Sequence, residues 1–293
     1  MREATGRAVT RAVTVERAIG SSAEQLSQAG IERPRAEAEA LVAAASGLSR
    51  ESLLLRPGTS LSPQQLDRLE ALTVRRAARK PLPYVLGEVE FYSLALRASP
   101  SAIVPRPETE VLVEAAIARA RSRRARLAVD VGTGGGAIAV ALAHHLRGLR
   151  VVATDVSPEA LRLAQANCER HALTGRVFLL CSDLLTAVRR PADCILANLP
   201  YVRSDEFQNL QPEVRDAEPR LGLDGGADGL ALIRRLSAQL FDHLCDGGFA
   251  ALEVGAGQAH EVAKLLRAGG LSEVEVIADY AGIDRVVVAW RRR

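Results

Sequence analysis

The sequence predicts an α/β protein: a mostly parallel sheet with its helices, preceded by a small helical bundle. Three observations predict it. From Leu127 onward, short apolar runs of strand length alternate with runs of helix length, as in a parallel sheet. A glycine-rich turn, Gly132-Thr133-Gly134-Gly135-Gly136, joins the first such strand to the first such helix. Residues 14 to about 78 are Ala-rich and carry apolar stripes at helical spacing.

The elements follow in chain order. Met1 to Val15 is dotted with arginine and has Glu3 as its only acid. It lacks the apolar core of a secretory signal, so residues 1–13 are expected to be a disordered tail rather than a transit peptide. Thr14 opens a first helix and Gly30 closes it. Pro34 starts a second, striped by Ala38, Leu41, Val42 and Ala45, with Gly47 and Pro57-Gly58 as punctuation. Ser62-Pro63 is an N-cap with proline at the first helical position, followed by Leu66, Leu69 and Leu72. Four or five short helices in residues 1–78 thus make one domain, which either packs on its neighbour or recognises a partner; the residues leave both open. Residues 79–104 are expected to be a linker, with a hairpin over Val85 to Leu96. The third segment, 105–293, opens with Pro105-Arg106-Pro107-Glu108-Thr109-Glu110, where Thr109 or Glu108 is expected to cap a helix from Glu110 to Arg119.

Strands are then expected at Leu127–Val131, Val151–Asp155, Val177–Leu180, Asp193–Ala197, Phe249–Val254, Val274–Ile277 and Arg285–Ala289. Helices are expected at Ala137–Leu146, Glu159–His171, Ala231–Leu244 and Gln258–Ala268. No repeat interrupts this order.

Composition excludes several classes. The 293 residues are 48% hydrophobic and 25% charged, ordinary for a globular protein, and no apolar run approaches a membrane span. A net charge of +3 is too small to imply nucleic-acid binding by itself. Cys168, Cys181, Cys194 and Cys245 show no C-x-x-C spacing and read as small buried hydrophobes in a reducing, cytoplasmic setting. The five histidines are scattered, so no metal site is expected.

The chemistry concentrates at strand ends. Glycines at 132, 134 and 136 let backbone approach a ligand and leave helix N–H groups facing it. Asp155 ends the next strand, where an acid can accept from ribose hydroxyls. Gly132 to Ala137 also satisfies the dinucleotide pattern G-x-G-x-x-A, so a nicotinamide enzyme is a competing reading. Three features oppose it. Asp130 precedes the first glycine by two residues, where a carboxylate suits a cation better than a pyrophosphate. Asp183 ends the third strand, placed to accept from an adenine amino group. Asn198-Leu199-Pro200-Tyr201 ends the fourth. An amide, a free carbonyl at Leu199 and an aromatic ring can hold a planar –NH2 group, since Pro200 stops further sheet pairing. A cationic, amino-acid-bearing nucleoside, S-adenosylmethionine, suits this set better than a dinucleotide.

With these residues in view, the chain resembles the release factor glutamine methyltransferases (PrmC/HemK) over nearly all of residues 14–290. The resemblance rests on Pro105 to Glu110, Asp130-Val131-Gly132-Thr133-Gly134, Asn198 to Tyr201, and Glu218-Pro219-Arg220 with Gly225 to Leu230. It ends with Leu252-Glu253-Val254-Gly255 plus Gln258, and Gly282 to Arg285. It implies a Rossmann-like class I S-adenosylmethionine-dependent methyltransferase domain behind a helical, substrate-recognising domain. It implies methylation of the side-chain nitrogen (N5) of the glutamine in the Gly-Gly-Gln motif of peptide chain release factors, with S-adenosylhomocysteine as product and no metal. Asp130, Gly132, Thr133, Gly134, Gly135, Gly136, Asp155, Asp183, Leu184 and Asn198 would hold the cofactor; Asn198, Leu199, Pro200 and Tyr201 would hold the substrate amide. Two positions depart from the family: Leu199 replaces a proline, and Leu184 stands where relatives often have an aromatic residue beside the adenine. Asn-Leu-Pro-Tyr also resembles dimethyladenosine ribosomal RNA methyltransferases, so an adenine-N6 methyltransferase acting on RNA or DNA is the alternative, and a non-catalytic scaffold is a third.

Overall fold

The computed structural model describes residues 13–292, so the tail expected over residues 1–13 lies almost wholly outside the described residues. The chain divides into two compact units, one ending at Leu86 and one running from Gly87. That division falls inside the 79–104 segment.

The first unit holds five helices: α1 (Val15–Gln28), α2 (Pro34–Ser46), α3 (Arg50–Leu55), α4 (Pro63–Ala77) and α5 (Leu82–Leu86). Ser62 caps α4 as expected, and Gln65 completes a capping box by accepting from the Ser62 N–H at 2.8 Å. Leu26, Leu41, Val42, Leu53, Leu69 and Val85 share one core. Buried Arg76 pairs with Glu37 at 2.5 Å. The helix at Leu82–Leu86 stands where Val85 was expected to open a hairpin. Val85 explains the difference, because it buries against the helical core and not against a strand.

The second unit opens with the hairpin β1 (Glu88–Phe91) and β2 (Leu94–Arg97), followed by α6 (Pro107–Arg123). Next come β3 (Leu127–Val131), α7 (Ala137–His145), β4 (Arg150–Asp155), α8 (Pro158–Arg170), β5 (Val177–Cys181) and β6 (Ala192–Ala197). The chain closes with α9 (Pro212–Ala217), α10 (Ala231–His243), β7 (Leu244–Glu253), α11 (Ala259–Ala268), β8 (Ser272–Ala278) and β9 (Asp284–Trp290). Helix α6 starts three residues earlier than expected, with Arg106 at its N-cap and no side-chain cap. Glu108 and Thr109 therefore lie inside its first turn. The short α9, with Pro212 at its start, and two single turns at Phe207–Asn209 and Arg220–Gly222 carry no periodic signal and were not expected.

The seven-stranded sheet has the order β5-β4-β3-β6-β7-β9-β8. Strands β3 to β7 are parallel; β9 is antiparallel to both β7 and β8. Side-chain alternation feeds two cores. Ala128 joins the core that also holds Leu112, Leu142 and Cys168, while Val129 and Val131 join the one holding Leu236, Leu240 and Val262. The chain runs outward from β3 to β5 and then returns to the other side of β3 as β6. That reversal opens a crevice at the carboxyl ends of β3 and β6, where ligands bind in such sheets. Val131 pairs with Ala197, so the glycine loop and Asn198 leave neighbouring strands at the same level. Cys168 and Cys194 are buried as expected, but Cys181, on edge strand β5, is exposed and Cys245 partly so; all four are free. Among the described residues no helix is long and apolar enough to cross a membrane.

Candidate active site

The carboxyl ends of β3, β4, β5 and β6 line a cavity of about 400 Å³, within the roughly 300–1,000 Å³ range of small-molecule sites. Its wall includes Gly132, Gly134, Asp155, Asp183, Leu184, Asn198, Leu199 and Pro200, so eight positions singled out from sequence meet in one place. A smaller hollow of about 60 Å³ is lined by Gly132 to Gly135, Thr109 and Asn198. Gly132, Gly134 and Asn198 line both.

Local hydrogen bonds shape the cofactor half of this wall. Asp155 accepts from the Gly134 N–H at 2.9 Å through one carboxylate oxygen and from the Ser157 N–H at 2.9 Å through the other. Each oxygen keeps a lone pair for a hydroxyl in the cavity. Gly132 has φ +72, where a side chain is strained, and a Cβ there would press on Leu199 Cδ2 at 2.8 Å, so the loop and the 198–201 segment lie in contact. Gly136 serves packing instead: its Cα faces Ala164 of α8, and it does not line the cavity.

Asp130 departs from the expectation that it meets a cation directly. It is fully buried and lines neither hollow. Its Oδ2 accepts from Thr133 Oγ1 at 2.5 Å and from the Ala139 N–H at 3.1 Å, which ties the glycine loop to the first turn of α7. Strand parity is the reason: Asp130 points with Ala128, away from Val129 and Val131. Burial pushes its carboxyl up to about 7 against the two hydrogen bonds. Its Oδ1 has no partner. Asp183 does line the cavity, but its carboxylate already pairs with Arg235 at 2.6 Å. Both side chains are half-exposed, so the pair is weak and can be shared with a ligand. Leu184 is buried beside it with φ +54, a left-handed conformation uncommon outside glycine.

The amide half is held by residues far apart in sequence. Asn198 Nδ2 donates to Thr109 Oγ1 at 3.0 Å, which leaves the Asn198 Oδ1 as the acceptor offered to the cavity. Among the described residues nothing donates to the Leu199 carbonyl. Tyr201 does not line either hollow; its ring lies over Gly255, and burial pushes its hydroxyl up to about 12. Its carbonyl accepts from Gln258 Nε2 at 3.0 Å, while Gln258 Oε1 accepts from the Gly255 N–H at 2.9 Å. Gly229, at φ +74, packs so closely that a Cβ would collide with the same Tyr201 oxygen. Arg106 donates to Glu218 at 2.6 Å, joining the segment before α6 to the one after α9. Desolvation nevertheless raises the buried Glu218 carboxyl above its ordinary range. Thr109, Gln258 and Arg235 thus belong to the site or its support. Sequence reasoning gave Thr109 a capping role, quoted Gln258 only within the family resemblance and at a helix start, and did not single out Arg235.

Known proteins resemble the chain along both units. The family model described as PrmC N-terminal domain matches residues 18–87, and the one described as methyltransferase small domain matches 107–227. Among solved structures, a methyltransferase from Pyrococcus furiosus has a TM-score of 0.53 at 20% identity, covering 80% of this chain and 100% of that one. The T. thermophilus 16S rRNA N2 G1207 methyltransferase (RsmC), solved with AdoMet and guanosine, has a TM-score of 0.52 at 19% identity, covering 70% of this chain and 50% of that one. These two show the fold alone. The release factor glutamine methyltransferase of Geobacter sulfurreducens is 40% identical over 275 residues, covering 94% of this chain and 95% of that one. That of Moorella thermoacetica is 43% identical over 282 residues, 96% of this chain and 99% of its own length. Likeness of that extent, across both units and the strand ends that line the cavity, means that this chain belongs to the release factor glutamine methyltransferase family.

Proposed function

We propose that this enzyme transfers a methyl group from S-adenosylmethionine to the side-chain amide nitrogen (N5) of the glutamine in the Gly-Gly-Gln motif of peptide chain release factors. One observation carries the reading: Thr109 turns the Asn198 amide so that its oxygen faces the cavity, beside a Leu199 carbonyl to which nothing donates. Two acceptors at one strand end match the two hydrogens of a primary amide.

The residues of the cavity fit the cofactor. Asp155 offers acceptors to a ribose, Asp183 and Leu184 flank the position of a purine, and the glycine loop brings backbone close to the amino-acid tail. Asp130 acts there by holding the loop, and its unpartnered Oδ1 adds negative charge or a hydrogen-bonding group beneath it. S-adenosylmethionine supplies a methyl group already activated on a sulfonium sulfur, so the chemistry calls for no metal ion.

The chain's own work is on the nucleophile. An amide nitrogen is weak because its lone pair is delocalised into the carbonyl. Asn198 Oδ1 and the Leu199 carbonyl accept its two hydrogens, orient it, and stabilise the positive charge that grows on it in the transition state. Leu199 retains the carbonyl that a proline would carry, and its side chain packs on Gly132. Pro200, which has no N–H, keeps the segment out of the sheet. Tyr201 supports the segment through Gln258, and its ring lies against Gly255. The helical unit, taken to include residues 1–78, serves as the recognition module for the release factor, and the enzyme works in the cytoplasm on protein rather than nucleic acid.

Labelled S-adenosylmethionine incubated with the enzyme and a purified release factor, against tRNA, rRNA and DNA controls, tests the reading. Label on the glutamine of Gly-Gly-Gln is expected; label on a nucleic acid and none on the release factor would replace it with adenine-N6 methylation.

A further inference from the structure

We propose that Glu253 is a positioning residue for the transfer: its buried carboxyl group, at the end of β7, holds the Thr109 hydroxyl, and through it the Asn198 amide, while holding the Tyr201 hydroxyl with its other oxygen. The proposal rests on the reading of the site given above.

Geometry puts Glu253 there. Ala197 pairs with Leu252, so Asn198 and Glu253 follow at the same level on adjacent parallel strands. Glu253 is 1% exposed, and neither carboxyl oxygen has a partner at good hydrogen-bond geometry, although the Thr109 and Tyr201 hydroxyls both stand near enough to favour its carboxylate. A buried acid without partners costs stability, and such groups concentrate at functional sites. Thr109 is also buried, and its oxygen is already an acceptor for Asn198. A hydroxyl that accepts still has one hydrogen to donate, and the acceptor that Thr109 bears on is Glu253. The Tyr201 hydroxyl is the second group that bears on the same carboxyl.

The charged groups facing Glu253 do not neutralise it. Glu108 on α6 adds a like charge. Arg285 on β9 favours the carboxylate but is itself paired with Asp279 at 3.0 Å. Arg106, which acts on Tyr201, is paired with Glu218. Burial outweighs these and pushes the Glu253 carboxyl up to about 7, while the Tyr201 hydroxyl is pushed up to about 12. Below neutral pH the pair is a carboxylic acid and a phenol. Thr109 then donates to the Glu253 carbonyl oxygen, and the Glu253 O–H donates to Tyr201. One ordered chain of hydrogen bonds thereby fixes both the amide acceptor and the Tyr201 side chain. Ionising Glu253 reverses only the second contact: the neutral Tyr201 hydroxyl then donates to the carboxylate, and Thr109 keeps its acceptor.

Single-turnover transfer to an intact release factor by the full-length enzyme tests this. Glu253→Ala is expected to slow transfer on the order of a hundredfold, the scale of a misplaced reacting group, with cofactor Kd and release-factor half-saturation unchanged. Glu253→Gln keeps a carbonyl acceptor and an N–H donor and is expected to stay within about threefold of the parent. Thr109→Val should show the same loss as Glu253→Ala, and the double variant no further loss, as for residues acting through one contact. Wild-type rate in Glu253→Ala, or a further loss in the double variant beyond that of Thr109→Val alone, would overturn the proposal; a Glu253→Gln variant that folds yet transfers as slowly as Thr109→Val would do so even if Glu253→Ala does not fold. A parent enzyme that does not methylate the glutamine at all would instead defeat the reading of the site.

Discussion

The two halves of the candidate site are built differently. The cofactor half is local: Thr133 reaches Asp130 three positions away, Gly134 reaches Asp155 across 21, and Ser157 reaches Asp155 across two. The amide half is assembled from distance: Thr109 meets Asn198 across 89 residues, Arg106 meets Glu218 across 112, and Gln258 meets Tyr201 across 57. A local loop can hold a common cofactor in many proteins with one short motif. Orienting an amide takes a segment pinned from several sides. The halves should therefore fail separately.

The largest effect short of the acceptors themselves should come from removing the helical unit. Its core is its own, with Val85 inside it, so the cut belongs before Gly87 and not after residue 78. A free glutamine offers little surface, and remote binding energy must do the orienting. The truncated enzyme is expected to bind S-adenosylmethionine nearly as well as the full chain but to methylate an intact release factor roughly a hundredfold more slowly. A short Gly-Gly-Gln peptide should be affected far less. Equal rates on the whole release factor would show that the unit does not recognise it.

Asp155→Ala should act on the cofactor half alone. Loss of a charge-assisted acceptor is worth about 1.5–3 kcal/mol, so calorimetry should show cofactor affinity weakened by roughly 10- to 150-fold. Single-turnover rate at saturating cofactor should change much less. An unchanged affinity in a folded variant would remove Asp155 from the site.

These halves were also unequally legible in the sequence. Strand–helix alternation placed β3 to β7, and the glycine loop, Asp155 and Asn198 followed from strand ends. Thr109 was visible only as a cap because its partner lies 89 residues on. Its true signal was position: Arg106 before Pro107 takes the N-cap and leaves Thr109 in the first turn. Asp130 was misplaced for a different reason. Its parity with Ala128 already pointed it toward α7, away from the cavity. Tyr201 was expected to hold the substrate amide with its ring, yet it lines neither hollow, and Glu253 stood only within a family motif; what each touches is set by residues distant in sequence.

The smallest effect concerns Asp130. Its folded carboxyl sits near 7, above the ordinary unfolded value. Both states are protonated below about 4, and as pH rises toward 7 only the unfolded chain ionises. Stability from this group is therefore present at low pH and lost between about 4 and 7. Asp130→Asn should flatten that part of the melting temperature against pH; an unchanged slope would mean that Asp130 is ionised in the folded protein.

The separation of the two halves is tested most directly by measuring cofactor Kd and single-turnover methyl transfer together in Asn198→Ala. Removing one preorganised group that stabilises developing charge costs on the order of 100- to 1,000-fold in rate. That loss is expected here, with cofactor Kd changed by less than about threefold. Large, equal losses in both quantities, or full transfer without the Asn198 amide, would contradict the account.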